Sequence, residues 1–428
     1  MKLGADQRKT ALGRQVPDRD LGAASMDRAA RSGVMATPIA SRTPLSPEAQ
    51  LALLAISTRE WRASRAGLAA GLADRVDIDG LAAYVLQQRL SIVVPSGLDA
   101  LGLSDLATAL RDRMQARRDQ VHAEATVQSV ITYGVLSSLE ERGIPAVPLK
   151  GVIFSERVYG DGASRESRDI DVLVAPEQLN DAVAVVREQF LYSAPRDAVA
   201  GDGRPLLHYS LSHPSGGPGL ELHWRVHWYE TRSGPEMLRR SVVADATRQL
   251  RPDDEFASLL LFYARDGFVG LRNLAAITGW WDRYGASLPT SALAGFAAQF
   301  PELGPALTTS ARVGSRLAGL PAAALAGTGR GNRRAARAAR LASPQPGEPD
   351  RWQADVALVD LLLAPRLDLA GFLRRQMLLD TSYLNAVSVG ANWRTRFERR
   401  ARLERIVWRA ARLLLRLAAP RARLGVGD

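Results

Sequence analysis

The segment Val147–Val174 reads VPLKGVIFSERVYGDGASRESRDIDVLV, and its pattern predicts how the middle of the chain folds. Its first residues form a short apolar run that ends at Lys150-Gly151, which predicts a strand followed by a turn. Its last residues, RDIDVLV, alternate polar and apolar side chains, as a strand does. A helix that starts at Val152 connects the two. The segment therefore predicts a strand–helix–strand unit.

Two carboxylates stand on one face of the second strand. Asp169 and Asp171 are separated by one residue, so they share a face and lie roughly 7 Å apart at Cα. The apolar side chains between and after them point to the other face. Two like charges repel each other, and a hard divalent cation between them removes that repulsion. The pair therefore indicates a metal site.

A third acid is expected on a neighbouring strand. The runs LLHYSLSH and LELHWRVHW are separated by PSGGPG, which predicts a hairpin. Alternation along the second run places Glu221, His223 and Arg225 on one face. Glu221 is thus an acid among apolar neighbours that could lie beside RDIDVLV. An ion pair with Arg225 is the structural alternative for Glu221.

Lys150 is unusual because basic residues in this chain are almost always arginine. Only Lys2, Lys9 and Lys150 are lysines, and the first two fall in a polar leader. The lysine ammonium is a compact point charge, whereas the arginine guanidinium is a planar fork. A site that needs a compact charge would explain why this position has lysine instead of arginine. Gly151 would let a ligand approach the backbone, and a helix start would offer free N–H groups to an anion.

The composition excludes several classes of protein. The chain has 428 residues, which is too long for one ordinary core and favours two or three domains. It has no cysteine, so disulfides, thiolate nucleophiles and cysteine-ligated zinc are excluded. No apolar run is long enough to span a bilayer, and the N-terminus has no signal-peptide core. A cytoplasmic location is therefore expected.

The order of helical and strand patterns predicts an α+β protein with a small mixed β-sheet between two helical regions. The expected parts are a disordered leader (1–45), an N-terminal helical region (46–135), an α+β domain (136–250) and a C-terminal helical region (251–428).

The net charge of +11 is unevenly distributed. Residues 136–250 contain 13 basic and 16 acidic residues, whereas residues 394–428 contain 11 basic and 3 acidic ones. The arginine-rich end reads as an amphipathic helix. This helix pattern fits three alternatives: contact with an anionic membrane surface, nucleic-acid binding, or a charged face that is simply solvated.

The histidines give weaker signals. His223 and His227 have the spacing of zinc ligands on a helix, but their segment reads as a strand, so a zinc site is not expected. His223 shares the face of Glu221 and is expected to support the site or its substrate. Trp224 and Trp228 are expected to pack in the core. His208 and His213 lie on the hairpin without an assigned role.

The LKG motif, the DIDVLV strand and the later ELHW strand, in this order, resemble the uncharacterised bacterial nucleotidyltransferase family of the nucleotidyltransferase superfamily. The resemblance covers mainly residues 140–235. It implies a minimal nucleotidyltransferase fold in which Mg²⁺, or Mn²⁺, binds Asp169, Asp171 and Glu221. It further implies a nucleoside triphosphate donor such as ATP, and an unidentified small-molecule, peptide or protein acceptor in natural-product or polysaccharide biosynthesis.

One position departs from the better-studied branches of the superfamily. Those branches have a Gly-Ser pair where this chain has Lys150-Gly151, so Lys150 is expected to contact a phosphate in place of the serine. Arg165 and Arg168 either neutralise the triphosphate or pair with Asp169. Because the serine is missing, a non-catalytic nucleotide- or peptide-binding protein stays open as an alternative.

Overall fold

The computed structural model describes residues 45–195, 205–244, 247–325, 333–345 and 349–365. The predicted leader, apart from its last residue, and the arginine-rich terminal helix lie outside these residues. The predicted domain boundaries stay a prediction. One long helix, Gln115–Glu141, runs through the boundary expected at residue 135.

Within the part of the chain that the structure describes, seven helices precede the first strand. The first of them begins as its sequence predicts, because the Ser46 side chain accepts a hydrogen bond from the Ala49 amide and a proline occupies the first helical turn. The bounds are α1 (Pro47–Ala55), α2 (Arg59–Ala63), α3 (Ala66–Ala73), α4 (Ile78–Gln88), α5 (Val93–Ala100), α6 (Ser104–Arg113) and α7 (Gln115–Glu141).

A four-stranded mixed sheet follows, with the order β1-β2-β4-β3. Strands β2 and β4 are parallel neighbours, and the edge strands β1 and β3 run antiparallel to them. The predicted hairpin is therefore confirmed as the β3–β4 pair. The bounds are β1 (Ala146–Pro148), α8 (Val152–Tyr159), β2 (Asp169–Val174), α9 (Leu179–Phe190), β3 (His208–Leu211) and β4 (Gly219–His223).

The remaining described residues are mainly helical. Their bounds are α10 (Ser233–Arg240), a small hairpin of β5 (Val242–Ala244) and β6 (Thr247–Gln249), α11 (Pro252–Arg265), α12 (Arg272–Tyr284), α13 (Ala292–Gln299), α14 (Gly304–Ala318), α15 (Arg333–Leu341) and α16 (Pro349–Leu363). Helix α11 is buried from Asp254 to Ala264, which is typical of a helix at the centre of a bundle.

The two faces of the sheet join two different cores. Ile170, Val172 and Leu222 face α7 and α9 and form one core with them. Leu173, on the opposite face, belongs to the larger core of the helical regions, which includes Phe262 of α11. Because side chains alternate along a strand, Asp169 and Asp171 share the face of Leu173. The predicted acids therefore lie between the sheet and the helical core.

These observations confirm the predicted α+β class with a small mixed sheet. None of the helices that the structure describes combines the length and the apolar character needed to cross a membrane.

Candidate active site

Three carboxylates meet where β2 and β4 run side by side. Asp171 is the register partner of Glu221, and Asp169 is the partner of Gly219. Oxygen atoms of Asp169, Asp171 and Glu221 all lie within 4.8 Å of one another. The predicted neighbourhood of these acids is therefore confirmed, and it follows from the parallel pairing of two strands that are some fifty residues apart in sequence.

Asp171 is the most enclosed of the three acids. Its side chain is 0% exposed, and its Oδ1 lies 3.1 Å from Lys150 Nζ and 3.0 Å from His223 Nε2. Burial alone would raise its pKa, but Lys150 and the hydrogen bond with His223 hold the pKa of Asp171 below its usual value. Its second oxygen, Oδ2, is buried without a hydrogen-bond partner among the described residues.

Asp169 and Glu221 are more open to solvent. Ser167 donates a hydrogen bond of 3.0 Å to Asp169 Oδ1. Burial and the nearby Asp171 would raise the pKa of Asp169, but Lys150 and this hydrogen bond lower it overall. The Glu221 side chain is 23% exposed. Burial opposes its ionisation, yet His208 and His223 bring the pKa of Glu221 far below its usual value.

The strand predicted to end at Lys150-Gly151 stops at Pro148, so Lys150 lies two residues beyond β1, with its side chain 9% exposed. Its ammonium group contacts Asp171 and lies 4.9 Å from the ring centre of Phe262 on α11. Gly151 caps the N-terminus of α8 with φ +90°, a backbone conformation that residues other than glycine rarely adopt. The turn therefore needs this glycine to bring Lys150 and the start of α8 to the acids.

Two histidines, His208 and His223, lie beside the three acids. His223 is fully buried, and its Nε2 lies 3.1 Å from Glu221 as well as 3.0 Å from Asp171. Burial would lower its pKa, but these two carboxylates raise the pKa of His223 overall. His208 on β3 lies 3.7 Å from the other Glu221 oxygen. Burial lowers the pKa of His208 to about 4, so its imidazole is neutral at pH 7.

Several arginines lie near the acids. Arg165 is buried, and its Nε and Nη1 atoms have no hydrogen-bond partner within the described ranges. Burial and the nearby Arg272 lower the pKa of Arg165 to about 10, while Asp171 and Asp169 act in the opposite direction. Burial, Arg272 and Arg168 likewise lower the pKa of Arg89 to about 10. These guanidinium groups therefore lie close enough to repel one another.

Arg89 and Arg272 were not predicted as site residues. Arg89 ends α4, where it adopts a left-handed backbone with φ +56°, and Arg272 begins α12. A left-handed residue is a common way for a helix to end, and the Arg89 N–H here donates to carbonyls of the last helical turn. Arg89 belongs to the helical region before the sheet in the sequence, and Arg272 to the one after it. No local sequence motif therefore connects them with the acids.

The strand predicted to reach Trp228 ends at His223 instead. Beyond that point Trp224 still packs in the core of Leu220 and Leu222, and it donates its indole N–H to the Pro205 carbonyl. Val226 packs in the other core instead, so strict alternation ends after Trp224. His227 packs against the rings of Trp228 and Tyr229. The predicted core role of Trp224 and Trp228 is confirmed.

The donor atoms fit a divalent cation. Three carboxylates within 4.8 Å of one another, one with a buried and unpartnered oxygen, provide the hard oxygen ligands that such ions prefer. A separate cavity of about 480 Å³, lined by Arg59, Trp281 and Leu293 among others, includes none of the three acids.

Comparison with known proteins agrees with this geometry. The model of a family described as uncharacterised nucleotidyltransferase matches residues 74–302, more than half of the chain. The matched segment contains all three carboxylates and also Arg89, Phe262 and Arg272. No curated protein matches the chain. A match over this length shows that the chain belongs to the uncharacterised nucleotidyltransferase family.

Proposed function

We propose that this protein transfers a nucleoside monophosphate from a nucleoside triphosphate to an acceptor hydroxyl and releases pyrophosphate. The observation that carries the proposal is the register of two parallel strands, which gathers Asp169, Asp171 and Glu221 within 4.8 Å of one another beside Lys150. Carboxylates in this arrangement suit Mg²⁺, or Mn²⁺, together with substrate phosphates.

The three acids would hold the cation. When bound, a divalent ion neutralises phosphate charge and makes an acceptor hydroxyl easier to deprotonate. The low pKa of Glu221 keeps it ionised at neutral pH, which favours a role as ligand over that of general base. Asp171 would use its unpartnered Oδ2, since its Oδ1 already contacts Lys150 and His223.

The cations around the acids would hold the phosphates. Lys150 and Arg165 lie near the carboxylates, and Gly151 opens a helix start from which backbone N–H groups can bind an anion. Several cations close to one another are unfavourable by themselves, and a triphosphate relieves their repulsion. Arg165 supports this role best, because two of its buried nitrogen atoms have no partner within the described residues.

Calorimetric titration of ATP, GTP, CTP and UTP tests the proposal without knowledge of the acceptor. Binding that requires Mg²⁺ and disappears in EDTA is expected for at least one nucleotide, because the acids need the cation before they can accept more negative charge. Absence of binding for all four would contradict the proposal. Binding without pyrophosphate release over a broad panel of acceptors would support a non-catalytic nucleotide-binding protein instead.

Arg272→Gln is expected to weaken triphosphate binding by roughly 10- to 100-fold, since one charge-assisted contact contributes roughly 1.5–3 kcal/mol. The loss should be smaller for the nucleoside monophosphate, which lacks the outer phosphates. Titration of both nucleotides measures the difference. Arg283→Gln, an exposed position at the other end of α12, is the matched control. Equal losses for the two nucleotides would show that Arg272 does not contact the outer phosphates.

A further inference from the structure

The imidazoles of His208 and His223 lie beside the acids, and the proposed nucleotidyl transfer gives them no role. Nitrogen atoms of His208 and His223 and an oxygen of Glu221 lie within 4.8 Å of one another. The two rings are 4.5 Å apart between centroids. Register explains the cluster, because His208 is paired with His223 across the β3–β4 hairpin and all three side chains share one face of the sheet. Three metal-binding groups therefore converge on that face, with His223 buried and His208 and Glu221 partly exposed.

The spacing of these atoms matches the requirements of one cation. Ligands at about 2.0–2.2 Å from a metal in tetrahedral or octahedral geometry are separated by roughly 3.0–3.4 Å. His223 Nε2 lies 3.1 Å from Glu221 Oε2, and His208 Nε2 lies 3.7 Å from Glu221 Oε1. Each histidine thus faces a different oxygen of the same carboxylate. Small movements of the partly exposed His208 would bring both nitrogen atoms to one ion.

We propose that His208, Glu221 and His223 form a nitrogen-containing cation site that takes a first-row transition metal such as Mn²⁺ or Zn²⁺. Imidazole suits Zn²⁺, whereas Mg²⁺ prefers oxygen ligands; Mn²⁺ binds nitrogen less tightly than Zn²⁺ and serves as the paramagnetic probe of the site. The site is distinct from the all-carboxylate site because two of its three ligands are histidines, although the two sites share Glu221. The proposal goes beyond nucleotidyl transfer and does not depend on it.

The alternative explanation is that these three side chains form a hydrogen-bond network that binds no metal. The His223 Nε2–H would then be shared between Asp171 and Glu221, and His208 would only pack against the ring of His223. The two arrangements differ in one observable property, which is whether a bound metal is coupled to the nuclear spin of imidazole nitrogen.

Electron spin-echo spectroscopy of the full-length protein, stripped of metal with EDTA and then loaded with Mn²⁺, makes that distinction. We expect ¹⁴N modulation in the wild type and loss of this modulation in His208→Gln/His223→Gln. His208→Gln alone should lower the Mn²⁺ affinity by about tenfold or more, since a ligand is removed. Zn²⁺ should displace Mn²⁺, and Mg²⁺ should do so only in large excess.

His213→Gln is the matched control, because His213 lies on the same hairpin but contacts Ser215 instead of the acids. It should keep both the modulation and the affinity. Mn²⁺ bound without ¹⁴N modulation, or with equal affinity in His208→Gln, would overturn the proposal. Asp169→Asn separates this inference from the proposed function, since it should impair magnesium-dependent nucleotide binding and leave the nitrogen-coupled Mn²⁺ signal in place.

Discussion

Magnesium-dependent binding of nucleoside triphosphates is expected to weaken at least on the order of 100-fold in Asp169→Asn/Asp171→Asn, and transfer on the order of 1,000-fold. The reason is that two of the three carboxylates gathered by β2 and β4 lose the charge that would hold the proposed cation. A metal ion contributes several kcal/mol of charge stabilisation in phosphoryl chemistry. Calorimetry measures the affinity, and pyrophosphate release measures the transfer.

Loss of folding must be separated from loss of the metal site. Asp171 contacts Lys150 and His223 in a buried setting, so Asp171→Asn also affects stability. Asp169→Asn alone leaves those contacts in place and should still weaken binding strongly. Asp181→Asn, an exposed position in the first turn of α9, controls for the chemical change. A folded double variant with wild-type binding in Mg²⁺ would disprove the proposed metal site.

Lys150→Met is expected to lower the free energy of unfolding by about 3–5 kcal/mol, which is typical when one partner of a buried ion pair is removed. The Asp171 carboxylate would keep its charge inside the protein without the ammonium group 3.1 Å away. Lys150→Met/Asp171→Asn should be less destabilised than the sum of the two single variants, because both charges are then absent. Urea denaturation of the four proteins measures this coupling.

A surface pair provides the comparison. Arg142 and Glu188 lie 3.4 Å apart with side chains 51% and 67% exposed, and Arg142→Met should cost less than about 1 kcal/mol. Additive effects of Lys150→Met and Asp171→Asn would mean that the buried pair contributes no specific coupling. Lys150→Arg should restore the charge without restoring full stability, since the guanidinium fork is larger and planar.

The sequence predicted the inner site because the side-chain period of a strand is two. Alternation placed Asp169 with Asp171 and Glu221 with His223, and one register between the two strands was then enough to bring all four together. The same rule still placed Trp224 in the core of Leu220 and Leu222, but it failed at Val226, which packs in the other core. Periodicity describes a strand well but does not show where hydrogen bonding to the next strand stops.

The outer part of the site could not be predicted from local patterns. Arg89 follows a helix that precedes the sheet in the sequence, and Arg272 begins a helix that comes after the sheet. Each has the sequence pattern of an ordinary surface arginine. Phe262 reads as one more apolar residue of α11, yet its ring lies beneath the Lys150 ammonium. Their positions depend on how the helices pack on the sheet, which is tertiary information.

The position of the sheet between two cores determines how small a working fragment of this protein can be. A fragment cut at residue 250 would keep all three acids but expose Val147, Leu149 and Leu173, which pack in the core that contains α11. It would also lose Phe262 and Arg272. The unit that would carry the proposed activity is therefore larger than its sheet, and shortening the chain for expression must retain α11 and α12.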